Sequence, residues 1–127
     1  MKRAYLPSLL LLCAMLALSL WNSGRIQQET ERWRGQLEQA DALAAEQLWP
    51  EALSAVEDSY RDWQSQQTYL HIVAEHDVLD DAEAMYHRAA AFALEREAAE
   101  FRAEIQHLRH QLTLMAETER FSMKNVL

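Results

Sequence analysis

Cysteine, glycine and proline are nearly absent from this chain of 127 residues, which has one cysteine, two glycines and two prolines. With Cys13 as the only cysteine, no intramolecular disulfide can form, so packing alone must hold the fold together. An all-β domain needs many turns, and this chain has too few turn-forming residues to make them. Because alanine, glutamate, leucine, glutamine and arginine are plentiful and favour helices, the composition predicts an all-α fold.

Charge is also absent from the start of the chain. No charged residue occurs from Ala4 to Trp21, and residues 9–18 are apolar without interruption. A charged side chain costs about 2.5–3.5 kcal/mol at the centre of a membrane-spanning helix, and 18 helical residues reach about 27 Å. We therefore predict a single N-terminal transmembrane helix, acting as a signal anchor within residues 1–24, that contacts the membrane through residues 4–21.

The orientation follows from the basic residues at the start. Lys2 and Arg3 precede the apolar segment and favour the cytoplasmic side of a membrane. Residues 25–127 are then expected outside the cytoplasm, as the extracytoplasmic domain of a single-pass cell-membrane protein. A secreted protein released by signal-peptide cleavage is the alternative, but the best small-residue triplet, residues 17–19, lies inside the apolar run. Cys13 and Ala17 lie one turn apart, and small side chains let helices approach closely. A homo-oligomer that packs through these two residues is therefore an open alternative.

Basic residues are in the minority, with 12 lysines and arginines against 20 aspartates and glutamates. Phosphate contacts need the opposite balance, so nucleic acid is not an expected partner. A basic protein surface or metal cations fit an acidic domain better. No glycine-rich phosphate loop or glycine-framed serine is present. We therefore predict no catalytic residues, no cofactor and no enzymatic activity.

The rest of the chain shows helical periodicity, with apolar residues repeating at steps of three and four. One example is the stripe formed by Phe101, Ile105, Leu108, Leu112 and Met115. Short connections between such helices favour an antiparallel bundle of three or four helices. In the three-helix alternative, the first helix continues from the anchor as a stalk with Gly24 as the joint. The predicted helices are 27–48, 50–75, 78–94 and 97–119.

Histidine and acidic residues are concentrated around residues 71–87. On helices, His71 with Glu75 and Glu83 with His87 lie four residues apart and face the same way. Imidazole and carboxylate groups bind metal ions, so a metal-binding or sensing domain is an alternative function. A solvated acidic face explains the same residues without any ligand. The candidate metal ligands are His71, His76, Asp80, Glu83 and His87.

The C-terminus carries apolar residues beyond the predicted last helix. They either fold back over one end of the bundle or form a short docking peptide for a protein partner. The candidate interaction residues are Phe121, Met123, Asn125, Val126 and Leu127.

Several of these features together resemble one family. Trp49 opens the second predicted helix, Trp63 lies about four turns further on, and residues 76–79 read His-Asp-Val-Leu. The chain then ends in two acids followed by Ser122, Asn125 and two apolar residues. From about residue 30 to 127 the chain resembles the uncharacterised, mostly Gram-positive bacterial family DUF4363. That resemblance implies a membrane-spanning start and a helical remainder but no activity, so we expect a membrane-anchored accessory or protein-interaction protein.

Overall fold

The computed structural model describes residues 5–73 and 75–126, without the side chains of residues 19, 22, 23, 72, 73 and 119–126. The described part is all-α and contains no strand. This confirms the helical fold class predicted from the scarcity of turn formers. The helices are α1 (Leu6–Ala45), α2 (Trp49–Gln64), α3 (Gln67–Val73), α4 (His76–Leu94) and α5 (Ala98–Val126).

Four of these helices form a closed antiparallel bundle. α1 packs against α2 and α5, and α4 packs against the same two helices. α1 and α5 are antiparallel. Gln27, early in the bundle part of α1, bonds to Ala116 late in α5, whereas Asp41, later in α1, lies beside Arg102 early in α5. The bundle therefore has four helices, and α3 follows α2 after a turn at residues 65 and 66.

α1 is a single helix of 40 residues that joins the apolar start of the chain to the bundle. It passes through Gly24 without a break, so Gly24 is not the joint of a separate stalk. From Ile26 to Ala44 its buried apolar side chains belong to the core. The sequence left open whether this helix is a stalk or a bundle member, and the structure makes it a member that also projects beyond the bundle.

The predicted membrane-spanning helix is not supported by the structure. Within the residues described, no helix combines the length and the apolar character that crossing a bilayer requires.

Two turns of the same type connect α1 with α2 and α4 with α5. At the end of α1, the Leu48 amide donates to the Leu43 carbonyl and the Gln47 amide to the Ala44 carbonyl. At the end of α4, the Glu97 and Arg96 amides make the equivalent bonds to carbonyls five and three residues earlier. This is the Schellman arrangement, which satisfies the carbonyls left free at a helix end. The break predicted near residues 94–97 is confirmed.

The core is formed by one stripe from each bundle helix. Its largest fully buried side chains include Trp33, Trp63, Tyr86 and Phe101. Trp49 also packs edge-on against Phe101, with the ring centres 5.5 Å apart, and so joins the beginnings of α2 and α5. The core thus spans the bundle from the two turns towards α3.

Candidate functional site

The most unusual surface of the molecule is the start of α1, which we call the arm (residues 5–21). Ten of its large apolar side chains are between 57% and 75% exposed, whereas Leu16 is half-buried. The core cluster begins only at Ile26, so the arm extends away from the bundle without contributing to it. Such a continuous apolar surface marks a site for binding lipid or another macromolecule. The exposed residues are Tyr5, Leu6, Leu9, Leu10, Leu11, Leu12, Met15, Leu18, Leu20 and Trp21.

The predicted metal ligands are divided between two places. His71 on α3 and His76 at the start of α4 lie together, with their ring centres 5.0 Å apart. His87 is 11 residues beyond His76, which places it about 16 Å further along the helix axis. Asp80 lies between these positions and is exposed. One ion cannot contact both histidine groups.

The second group is a hydrogen-bonded contact between α2 and α4. The Tyr60 hydroxyl donates to Glu83 Oε1 at 2.9 Å, and His87 Nε2 lies 4.0 Å from the same oxygen. The rings of Tyr60 and His87 also pack together, 5.2 Å apart. Burial raises the pKa of Tyr60, and the hydrogen bond to the Glu83 carboxylate raises it further. Glu83 therefore connects α4 to α2, because its carboxylate accepts the hydrogen bond from Tyr60.

In the described part of the chain, no three histidine, cysteine or acidic side chains are grouped so that they could hold a metal ion. Metal binding by the five predicted residues stays a prediction, and the structure leaves His71 with His76 as the one closely paired set of imidazoles among them.

The C-terminal segment differs from the sequence expectation in its backbone. α5 continues to Val126, so residues 121–126 belong to the last helix and do not follow it. The residue types explain the difference, because residues 119–126 contain neither glycine nor proline to end a helix. The side chains of Phe121, Met123, Asn125 and Val126, and all of Leu127, lie outside the described part, and a role in partner binding stays a prediction.

A buried polar cluster in the core was missed by the sequence analysis. Ser59 is fully buried, donates to the Trp33 carbonyl at 3.2 Å, and lies 2.8 Å from the Tyr86 hydroxyl. Since the serine proton is directed at the carbonyl, Tyr86 donates to Ser59. Burial raises the pKa of the Tyr86 hydroxyl well above its ordinary value. The available signal was the spacing of Ser59, which lies three residues after Val56 and four before Trp63.

A groove of about 390 Å³ lies between α1 and α2. Its described lining has one hydroxyl, Ser54, and two carboxylates, Glu51 and Asp58, but neither histidine nor cysteine. The groove therefore presents one hydroxyl, two carboxylates and the amides of Gln36 and Gln39 to solvent.

The sequence profile of one family, described as a domain of unknown function (DUF4363), matches residues 20–126. The chain belongs to the DUF4363 family. This confirms the resemblance carried by Trp49, Trp63 and the C-terminal motif, and the match includes the whole bundle. No curated protein and no solved structure matches the chain. In this DUF4363 protein, the exposed features are the arm and the surface of the bundle.

Proposed function

We propose that this DUF4363 protein is a membrane-anchored, non-enzymatic accessory protein whose helical bundle binds a protein partner outside the cytoplasm. The observation that carries the proposal is the arm. Its apolar side chains project from the bundle with nothing in the described structure to cover them. In this proposal a lipid bilayer covers the arm, and α1 connects it without a break to the bundle wall.

The energetics support burial of the arm. Removing a leucine-sized side chain from water is worth about 1.5–3 kcal/mol, and the arm exposes a series of them. The 16 helical residues of the arm reach about 24 Å. The hydrocarbon core of a bilayer is about 30 Å thick, so the arm covers most of that thickness. Tyr5 and Trp21 stand at the two ends of the arm, where aromatic side chains favour the membrane interface.

The proposed topology rests on charge. Lys2 and Arg3 come before the arm and favour the cytoplasmic side, which puts the bundle on the opposite face. An acidic bundle is also repelled by anionic lipid headgroups. The bundle would therefore stand away from the membrane surface at the end of the arm.

The proposed partner has a basic surface. Arginines of the bundle form ion pairs between neighbouring helices. These pairs include Arg102 with Asp41, Arg109 with Glu38 and Arg88 with Glu104. Many carboxylates form no ion pair in the described structure and are exposed. Complementary charge speeds encounter with a partner and selects for it. These carboxylates are Glu46, Glu51, Glu57, Asp77, Asp80, Asp81, Glu95, Glu97 and Glu100.

Membrane association is tested by replacing two exposed leucines of the arm, Leu10→Gln and Leu11→Gln, in the full chain. We expect the double variant to move from the membrane pellet to the supernatant after carbonate washing, with unchanged unfolding of the bundle. Leu94→Gln is the matched control, because Leu94 is 69% exposed but lies on the bundle. The control should stay with the membrane.

The topology is tested by adding protease to intact cells and probing for the bundle. Digestion of the bundle is expected, whereas full protection would contradict the extracytoplasmic placement. The mass of the mature protein separates anchoring from secretion, because a cleaved protein would lack the arm. A wild-type chain that is intact and remains in the supernatant would overturn the proposal.

A further inference from the structure

A pair of histidines lies at the junction of α3 and α4. His71 is in the last turns of α3 and His76 is the first residue of α4. Their ring centres are 5.0 Å apart and the ring planes are inclined by 51°. Both side chains are exposed. The rings are therefore close to each other, and both residues are open to solvent.

We propose that His71 and His76 together bind one divalent transition-metal ion of the zinc or copper type. This inference goes beyond the membrane-anchoring function and does not depend on it. Imidazole nitrogens favour zinc, copper and nickel, whereas magnesium and calcium favour oxygen ligands. The ion would connect two helices that the backbone joins only through a short link.

The ring spacing fits a shared ion. A metal–nitrogen bond of about 2.0–2.1 Å places each imidazole centre about 3 Å from the metal, so two rings at a tetrahedral angle have centres about 5 Å apart. The spacing of 5.0 Å between His71 and His76 falls at this value. The separation of the two ring centres is therefore compatible with a shared ion.

The surrounding charges favour a cation. Asp77 lies in the first turn of α4, and Asp80 lies one turn beyond His76 on the same face of that helix. The amino terminus of α4 carries partial positive charge, and Asp77 offsets it. The described residues form no group of three protein ligands, so the proposed site has two imidazole ligands and leaves the remaining coordination positions to water. Glu83 and His87 take no part, since they are too far along α4.

Metal binding would stabilise α3 at its junction with the bundle. Of the described side chains of α3, only Leu70 is fully buried, whereas each of the long bundle helices contributes several. A ligand that binds the folded state and not the unfolded state stabilises the fold by mass action. The proposed ion would act at this junction as a second connection between α3 and α4.

The test is calorimetric titration of the full-length protein in mild detergent with zinc chloride and copper chloride, with magnesium chloride for comparison. We expect one zinc or copper ion per chain and no magnesium binding. His71→Gln and His76→Gln should each weaken binding about tenfold or more, because each removes one of two ligands. Binding should also weaken at mildly acidic pH, since protons compete for the imidazole nitrogens.

The matched control is the double variant His107→Gln with His110→Gln, which removes two exposed imidazoles from α5. It should bind zinc and copper like the wild type. A second readout is the NMR spectrum of the histidine rings, in which His71 and His76 should shift together on addition of zinc. The proposal is overturned if no saturable binding occurs, or if the α5 variant loses binding as much as the His71 and His76 variants do.

Discussion

At the residue scale, the most informative group is the hydrogen-bonded set of Ser59, Tyr86 and the Trp33 carbonyl. It connects three helices inside the core, since Trp33 lies on α1, Ser59 on α2 and Tyr86 on α4. A buried polar group without a partner costs about 1–3 kcal/mol. The serine therefore serves both neighbours, as donor to the carbonyl and acceptor from the tyrosine.

Ser59→Ala should destabilise the protein by about 1–3 kcal/mol, because it leaves the Tyr86 hydroxyl and the Trp33 carbonyl buried without this partner. The free energy of unfolding by urea, followed by circular dichroism, measures the loss.

The comparison variants are Tyr86→Phe and the double variant. Tyr86→Phe should cost less than Ser59→Ala, because Ser59 retains its bond to the Trp33 carbonyl. The double variant should cost less than the two single losses added together, since the residues share one interaction. Strict additivity would show that the hydroxyl pair contributes nothing.

At the element scale, the two connecting turns have the same strained position. Gln47 and Arg96 adopt φ angles of 64° and 55°, the left-handed conformation that glycine accepts without cost. For other residues, the left-handed conformation costs about 1–2 kcal/mol. The two turns differ in one contact, because Gln47 accepts a hydrogen bond from Trp49 Nε1 at 3.2 Å.

Arg96→Gly should therefore stabilise the protein by up to about 1 kcal/mol, through relief of the left-handed strain. Gln47→Gly should gain less, because it also leaves the buried Trp49 indole without its acceptor. Thermal unfolding of the two variants and the wild type measures the order. A larger gain from Gln47→Gly would contradict the value assigned to the indole contact.

The helix ends show which local signals the sequence carries. The turn at residues 95–97 was predictable, since the apolar stripe loses its register between Phe92 and Phe101. The turn at residues 65 and 66 was not predicted, because residues 51–75 of the predicted second helix contain neither glycine nor proline. The end of α5 was placed too early for the same reason. Local residue types predict some helix ends, whereas other helix ends depend on tertiary packing.

At the scale of the whole molecule, the bundle consists of two equivalent hairpins, α1 with α2 and α4 with α5. Buried positions of the first hairpin recur 49 residues later in the second, as in Leu37 and Tyr86 or Val56 and Ile105. The residue types differ at these two pairs, whereas the buried pairs Ala40 with Ala89 and Ala44 with Ala93 are identical. The hairpins meet through α1 with α5 and α2 with α4, and neither can bury its apolar face alone.

The shared core predicts a single unfolding transition. The four tryptophans all lie on α1 and α2, so their fluorescence reports the first hairpin, whereas circular dichroism reports all helices. Leu37→Ala and Leu112→Ala change fully buried leucines in different hairpins. Each should cost about 2–5 kcal/mol and shift both signals equally.

The informative case is Leu112→Ala, which lies outside the tryptophan-bearing hairpin. If it shifted the dichroism transition and left the fluorescence transition in place, the hairpins would unfold independently and the account of one shared core would be wrong.

The sequence by itself determined the helical class, the family, the acidic character and the apolar start, because composition and short spacings carry these properties without reference to any other segment. Only the tertiary structure decided that the first helix is both arm and bundle wall, that Ser59 is buried, and that His71 meets His76 while His87 lies apart. Burial and proximity depend on which helix packs against which, and that choice is made by the complementarity of side chains far apart in the chain.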